Sequence, residues 1–402
     1  ILQNHLSNNP HALMMLLKPK PGLENEMAEK TEKELAQYKA SLSKDELQNL
    51  IDETKELKAH QQKEDSPEAV ETIPMLSLSD ISRDVQWYEA SEKEIADVPV
   101  LHYEDFTNNI GYNRLVFDLH ALPKELIPYG NLLAEVMGQL NTQNYDFGEL
   151  DNALNIYTGG FRTYVSSYLE NDSDDKLVPQ FVITAKSTID KTDQLLELTA
   201  EILNTSNYGD TDRLKDVLIR HQSRVESNVK NNGISYAITR LNSYYTNRGM
   251  FRELTSGLDY YNFITDLTQN FDFQKEQIIK NLQTTADLLF MKQNLVAGIT
   301  CSEDNYNEFQ KEFEGFLANL SDEKVSKNKW AFDFSAKNEG FMSSSMVQYV
   351  TKGYDYKKLG YEWDGKMRVL NQILSSDYLQ NKIRVMGGAY GGWARISPSG
   401  VT

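Results

Sequence analysis

The chain has 402 residues, with 41 basic and 59 acidic side chains, so its formal net charge is −18. This balance disfavours nucleic acids and anionic membranes as partners, because their phosphates would be repelled. The single cysteine, Cys301, excludes an internal disulfide and indicates a reducing compartment. No apolar run approaches the ~20 residues of a membrane span, and no signal peptide is present, so we expect a soluble, intracellular protein.

A length prior of roughly 150 residues per domain predicts two or three domains, and we expect two globular units with a connector. Residues 1–21 are expected to be the end of a preceding domain. They contain a strand-like apolar run at 11–18, ended by Pro19 and Pro21. Because such a strand needs a sheet from elsewhere, we do not expect residue 1 to be the natural beginning.

Residues 22–64 are predicted to form a helical hairpin, since apolar residues recur at helical spacing in two successive segments. The second helix starts at Ser43, with Glu46 completing a capping box. A short coiled coil that dimerises is the alternative. We favour a spacer between domains, because neither helix sustains the three or four heptads that coiled coils usually show.

Residues 65–99 are interrupted by Pro67, Pro74 and Pro99 and are predicted to be an extended linker. A full domain is expected at 100–325, with an antiparallel sheet packed against helices. Its predicted strands are 114–119, 161–169, 177–186 and 294–300. Its predicted helices are 128–140, 147–157, 190–204, 210–230, 232–247, 259–269, 273–289 and 303–320. Strands that come early and late, with helices between them, favour an α+β domain.

Residues 326–402 are predicted to begin a further α+β domain, with a strand at 341–350, a helix at 365–380 and then a glycine-rich stretch. Two strands and one helix cannot bury a core of their own. We therefore expect this second unit to be truncated.

Metal and nucleophile motifs are weak in this chain. None of the six histidines has the spacing of a zinc motif, so we expect no metal site made by this chain. Cys301 ends an apolar strand, where a buried, inert thiol is expected. Five tyrosines could line a peptide-binding wall, but packing on helices is favoured. They are Tyr236, Tyr244, Tyr245, Tyr260 and Tyr261.

The stretch Ile383–Gly392 has four glycines within six residues, flanked by Arg384 and Tyr390. Glycines let the backbone approach a ligand closely, and a fixed cation beside a phenol suits an oxygen anion or a carbonyl. The alternative is a helix C-terminus followed by a glycine hairpin, because arginine is ordinary near a helix end. The residues alone leave both interpretations open.

This stretch, the helix before it and residues 396–400 resemble the carboxy-terminal half of the pitrilysin/insulinase metallopeptidases, in their presequence-protease branch. Further resemblances lie at 40–44 and 53–57 in the hairpin and at 65–80 after it. Others lie at 122–129 and 158–160 in the following domain. Nearly the whole chain is covered, and 383–392 is the most specific part.

The resemblance implies one half of a clamshell peptidase, built from four homologous α+β domains and joined to the amino-terminal half by the hairpin. Zinc and its His-x-x-Glu-His motif, an inverted zincin signature, would lie in that other half, so no metal ligand is expected here. In the family, Tyr390 would donate a hydrogen bond to the oxyanion, and Arg384 would hold a substrate carbonyl. Small residues would let the peptide lie against this strand; they are Gly387, Gly388, Ala389 and Gly391.

The implied function is zinc-dependent hydrolysis of short unstructured peptides in a closed chamber, with this chain inactive on its own. The acidic balance would suit basic peptides. The alternative is a non-catalytic member that binds or scaffolds peptides. We expect the cytoplasm of a bacterium, with the mitochondrial matrix or a plastid as the alternative.

Overall fold

The computed structural model describes residues 2–63, 65–170, 173, 176–343 and 347–402. The chain divides into two compact units, Ile1–Gln86 and Trp87–Thr402. No helix in the described ranges combines the length and apolar character that crossing a membrane requires.

The first unit is helical, as predicted. Its helices are α1 (Leu23–Ser41), α2 (Lys44–Gln62) and α3 (Pro67–Glu71). The predicted capping box starts α2: the Ser43 hydroxyl accepts from the Glu46 amide at 3.2 Å, and the Glu46 carboxylate accepts from the Ser43 amide at 2.8 Å. The strand expected at 11–18 is not formed. No described strand pairs with these residues, and Met14 is 93% exposed.

The second unit is built on a six-stranded sheet in the order β1-β2-β6-β3-β5-β4. The strands are β1 (Ser91–Ile95), β2 (Val98–Glu104), β3 (Ile110–Asp118), β4 (Phe161–Leu169), β5 (Leu177–Thr188) and β6 (Leu295–Cys301). Every neighbouring pair is antiparallel except β2 and β6, which run parallel. The predicted α+β class, with a largely antiparallel sheet, is therefore confirmed.

Helices cover one face of this sheet. They are α4 (Ile127–Val136), α5 (Phe147–Tyr157), α6 (Thr192–Thr205), α7 (Thr211–Asn231), α8 (Gly233–Ser243), α9 (Asn247–Ser256), α10 (Leu258–Gln269), α11 (Phe271–Leu289) and α12 (Glu303–Leu317). Alternation along β3 shows which face is covered: Leu115 and Phe117 are in the core, whereas Tyr112 and Arg114 are exposed. The sheet thus has one buried and one open face.

Residues 91–99, predicted as part of the linker, form β1 and the start of β2. β1 has the sequence Ser-Glu-Lys-Glu-Ile, which is too polar to indicate a strand. Ile95 is its one buried residue, and Glu94 pairs with Pro99. β1 is an edge strand, where charged side chains and proline are common because one side of its backbone needs no partner strand.

The helix predicted at 232–247 is interrupted, and α9 follows as a separate element. The Thr246 hydroxyl accepts from the Gly249 amide at 3.0 Å and caps α9. A Cβ on Gly249 would lie only 2.2 Å from the Asn242 carbonyl oxygen, so α8 and α9 approach closely there.

Residues 325–341, which we name the strap, run without regular secondary structure over the helical side of the second unit. The Trp330 indole donates to the Leu122 carbonyl at 2.9 Å and stacks on Phe251 with a centroid separation of 5.8 Å. The Asn328 amide donates to the His120 carbonyl at 2.7 Å. Most of the strap was predicted to begin the further domain, yet it packs on the domain before it.

The strand predicted at 341–350 is not formed in the parts that are described, and residues 344–346 lie outside the described residues. The predicted helix at 365–380 is confirmed and longer: α13 (Lys366–Ile373) continues as a π-helix over Leu374–Val385. An antiparallel bridge joins Asp355 to Val401.

Candidate functional site

The glycine-rich stretch caps the C-terminus of the π-helix. The Gly388 amide donates to the Arg384 carbonyl at 3.0 Å, and the Ala389 amide donates to the Ile383 carbonyl at 3.1 Å. Gly388 has φ +71°, in the left-handed region that glycine enters without penalty. A Cβ on Gly387 would lie 2.6 Å from the Ile383 carbonyl oxygen. The helix end therefore requires these two glycines whether or not a ligand binds.

After the turn the chain comes back against the helix. The Ala394 amide donates to the Ser375 hydroxyl at 3.1 Å, and that hydroxyl donates to the Ala394 carbonyl at 3.3 Å. A Cβ on Gly392 would lie 3.0 Å from Ile383, and one on Gly391 would lie 2.7 Å from the Trp393 ring. Residues 387–392 are thus a turn with an irregular return, and the expected strand at this place is not formed.

Arg384 and Tyr390 lie on the two sides of this turn, and both are exposed. Tyr390 is 85% exposed, and Arg384 is in the last turn of the π-helix. Neither the guanidinium nor the phenol hydroxyl has a hydrogen bond or ion pair with another described residue. Both groups are consequently free to bind a ligand. No contact joins the two side chains in this conformation.

The donor set of the chain does not fit zinc. Among the described residues there is no group of three or more His, Cys, Asp and Glu side chains that could hold a metal ion. The buried histidines are used in packing: His102 contacts the Cys301 carbonyl at 3.0 Å, and His221 contacts the Tyr260 hydroxyl at 2.9 Å.

Tyr260 is 1% exposed and Tyr244 is 8% exposed, so these two of the five tyrosines are packing residues as predicted. Cys301 is also buried, and burial raises the pKa of its thiol to about 11. A thiol with so high a pKa is almost wholly protonated at neutral pH and is a poor nucleophile. The expectation of an inert cysteine is confirmed.

An ionic cluster around Arg240 was not predicted. Its guanidinium binds Glu253 at 3.3 Å, Asp259 at 3.0 Å and Glu339 of the strap at 2.8 Å. Glu339 also accepts from the Tyr244 hydroxyl. These residues are far apart in sequence, so no local spacing indicates that they meet.

The cluster perturbs its own acids in opposite directions. Burial raises the pKa of Glu253, whose side chain is fully buried. The pKa of Glu339 is lowered to about 2, chiefly by its hydrogen bond with Arg240. The cluster faces no cavity that the structure describes, and its evident role is to fasten the strap to the helices.

Comparison with known proteins assigns the chain to a family. The model for the associated region of peptidase M16, subfamily C, matches residues 17–267, more than half of the chain. Protein HypA of Clostridium perfringens is 33% identical over 400 residues, covering 100% of this chain and 41% of that protein. Presequence protease 1, chloroplastic/mitochondrial, of Arabidopsis thaliana is 27% identical over 404 residues, covering 100% of this chain and 37% of that protein.

The chain thus spans about two-fifths of the length of these curated relatives. A solved structure, the peptidase M16 inactive domain from Pseudomonas fluorescens, is 14% identical, with a TM-score of 0.42 over 62% of this chain and 53% of that one. The family model covers the hairpin and most of the sheet domain. The chain belongs to the M16 peptidase family, in the subfamily C group that it shares with the presequence proteases.

Proposed function

We propose that this chain is the carboxy-terminal half of a zinc-dependent metalloendopeptidase that degrades short unstructured peptides. The supporting observation is the pair Arg384 and Tyr390, two exposed polar side chains without partners among the described residues, on either side of a fixed glycine turn. A cation and a phenol that no other described residue uses are what a peptide backbone would need for binding from this side.

Each side chain has a distinct role in the proposal. The Tyr390 hydroxyl donates a hydrogen bond to the carbonyl oxygen of the scissile peptide bond as negative charge develops there. The Arg384 guanidinium binds a neighbouring backbone carbonyl and positions the peptide. The return held by Ser375 fixes the base of the loop that carries Tyr390.

The metal is assigned to the amino-terminal half of the same protein, because this chain offers no suitable donor set among its described residues. The two halves would therefore meet around the substrate, and activity would require both. We place this protein in the bacterial cytoplasm, while the relatives include a chloroplastic/mitochondrial protease.

The test is hydrolysis of a quenched fluorescent peptide by the full-length protein. Tyr390→Phe is expected to lower kcat by about 10²-fold, the usual effect of removing one such donor. Arg384→Ala is expected to lower kcat/KM roughly 10- to 100-fold, since a hydrogen bond from a charged group contributes about 1.5–3 kcal/mol.

Matched controls come from the same helix. Tyr378→Phe and Arg368→Ala remove the same groups from exposed positions one or more turns earlier, and both should leave turnover unchanged. Near-normal turnover in both site variants would refute the assigned roles. A full-length protein without any peptidase activity would favour the peptide-scaffolding alternative.

A further inference from the structure

The face of the sheet opposite the helices carries an ordered set of side chains. Strand pairing places Arg114 of β3 opposite Thr184 of β5, and Thr184 opposite Arg162 of β4. Neighbouring strands are about 4.8 Å apart, so the two arginine Cα atoms are roughly 10 Å apart on one face. Both arginines are exposed, and their side chains are long enough to reach a common ligand above Thr184.

Neither guanidinium is neutralised. Arg114 and Arg162 make no ion pair or side-chain hydrogen bond with another described residue. Lys186, one row away on the same face, lies over the Tyr112 ring at 5.7 Å. The nearby Asp118 is already paired with Lys327 at 2.7 Å. This part of the face is therefore positive, although the whole chain carries −18.

An apolar row lies on the other side of the two arginines. Pairing aligns Val296, Val116, Val182 and Tyr164 across four strands. Val182 is fully buried in the middle of the row, while Val296 and Tyr164 at its ends are 39% and 36% exposed. Three consecutive rows on the same face are thus Lys186, then the arginine pair, then this apolar row.

The spacing of these rows matches an extended peptide. Consecutive rows are two residues apart along a strand, or about 6.8 Å, and side chains on one side of an extended peptide repeat at the same distance. We infer that this face binds an extended peptide with acidic side chains at positions i and i+2 and an apolar side chain at i+4. The first acid meets Lys186, the second lies between Arg114 and Arg162, and the apolar residue covers Val116 and Tyr164.

Local charge, not total charge, decides this preference. At about 0.1 M salt the screening length is about 10 Å, so a ligand on this face interacts mainly with these three cations. The acidic balance of the chain, by contrast, would predict a basic peptide. That the bound peptide is a substrate rests on the proposed function, but its binding requires no hydrolysis.

The experiment is a fluorescence-anisotropy titration of the 402-residue chain with labelled peptides in a Gly/Ser frame. The cores are Glu-Ser-Glu-Ser-Leu, the shuffled Glu-Glu-Ser-Ser-Leu and the basic Lys-Ser-Lys-Ser-Leu. We expect the first to bind about tenfold tighter than the shuffled core and to weaken in about 0.3 M salt. Equal binding of the three, a preference for the basic core or no binding at all would overturn the inference.

Variants locate the binding face. Arg114→Gln/Arg162→Gln should weaken the acidic peptide about tenfold, equivalent to about 1.4 kcal/mol at 25 °C. Arg220→Gln/Arg368→Gln removes the same charge from exposed helix positions and should leave the affinity unchanged. An equal loss in both pairs would contradict the assigned face. The comparison of peptides on the unaltered chain stands even if a variant folds poorly, and failure of the peptidase assay with Tyr390→Phe would leave this binding result untouched.

Discussion

Arg240→Ala is expected to be one of the most destabilising single substitutions in the second unit. The guanidinium is 18% exposed and contacts three carboxylates, of which Glu253 is fully buried. Removing the cation leaves the Glu253 charge buried and without its partner. Breaking a buried pair in this way typically costs about 3–5 kcal/mol, which is a large part of the stability of a domain.

The loss should depend on pH in a defined direction. Burial already raises the pKa of Glu253 above its ordinary value of 4.5, and without Arg240 it must rise further. Stability linked to a raised pKa is present below the unfolded pKa and is lost as pH rises through the folded pKa. The deficit of Arg240→Ala should therefore be full at pH 7 and smaller below about pH 4.5, where Glu253 is protonated in both states.

Urea unfolding followed by circular dichroism at the two pH values measures this. Glu253→Gln added to Arg240→Ala should recover part of the stability at pH 7, because the stranded charge is gone. Arg220→Ala, at an exposed position, is the control and should stay within about 0.5 kcal/mol. A loss below about 1 kcal/mol at pH 7, or no recovery in the double variant, would refute the reasoning.

Three further outcomes are expected. Gly388→Ala should cost about 1–2 kcal/mol, because φ is +71° there, whereas Gly365→Ala, at φ −54° in open space, should be neutral or stabilising in the same thermal melt. Trp330→Ala should cost about 2–4 kcal/mol, and limited proteolysis should then cut within the strap; an unchanged digestion pattern would contradict its docking. Cys301 should react with a thiol reagent at pH 8 only after denaturant unfolds the chain, and a rapid reaction in the native protein would contradict its burial.

Regular elements with strong local signals were predictable from the sequence. The capping box at Ser43 and the helical periodicity indicated α2, and apolar runs indicated β5 and β6. β1 was missed because its residues are polar and it pairs with β2 alone, on one side. The strap was missed because Trp330 is held by Leu122 and Phe251, and contacts so distant in sequence leave no local pattern.

At the candidate site, the sequence left a ligand clamp and a capped helix end as alternatives. The geometry of Gly387 and Gly388 accounts for these glycines as parts of a helix C-cap. It leaves Arg384 and Tyr390 exposed, so their proposed roles do not depend on the glycines. The open-face cations Arg114 and Arg162 could not be found from sequence, because only the register of β3, β5 and β4 brings them together.

The position of β6 has a kinetic consequence. β6 is the last strand in sequence, yet it lies between β2 and β3 and joins the two parts of the sheet. The residues between the end of β2 at 104 and the start of β6 at 295 take roughly 10–40 s to synthesise on a ribosome. During that time β2 and β3 each present an unpaired edge to other nascent chains. A fragment that ends at residue 267, where the family match stops, would keep both edges permanently open.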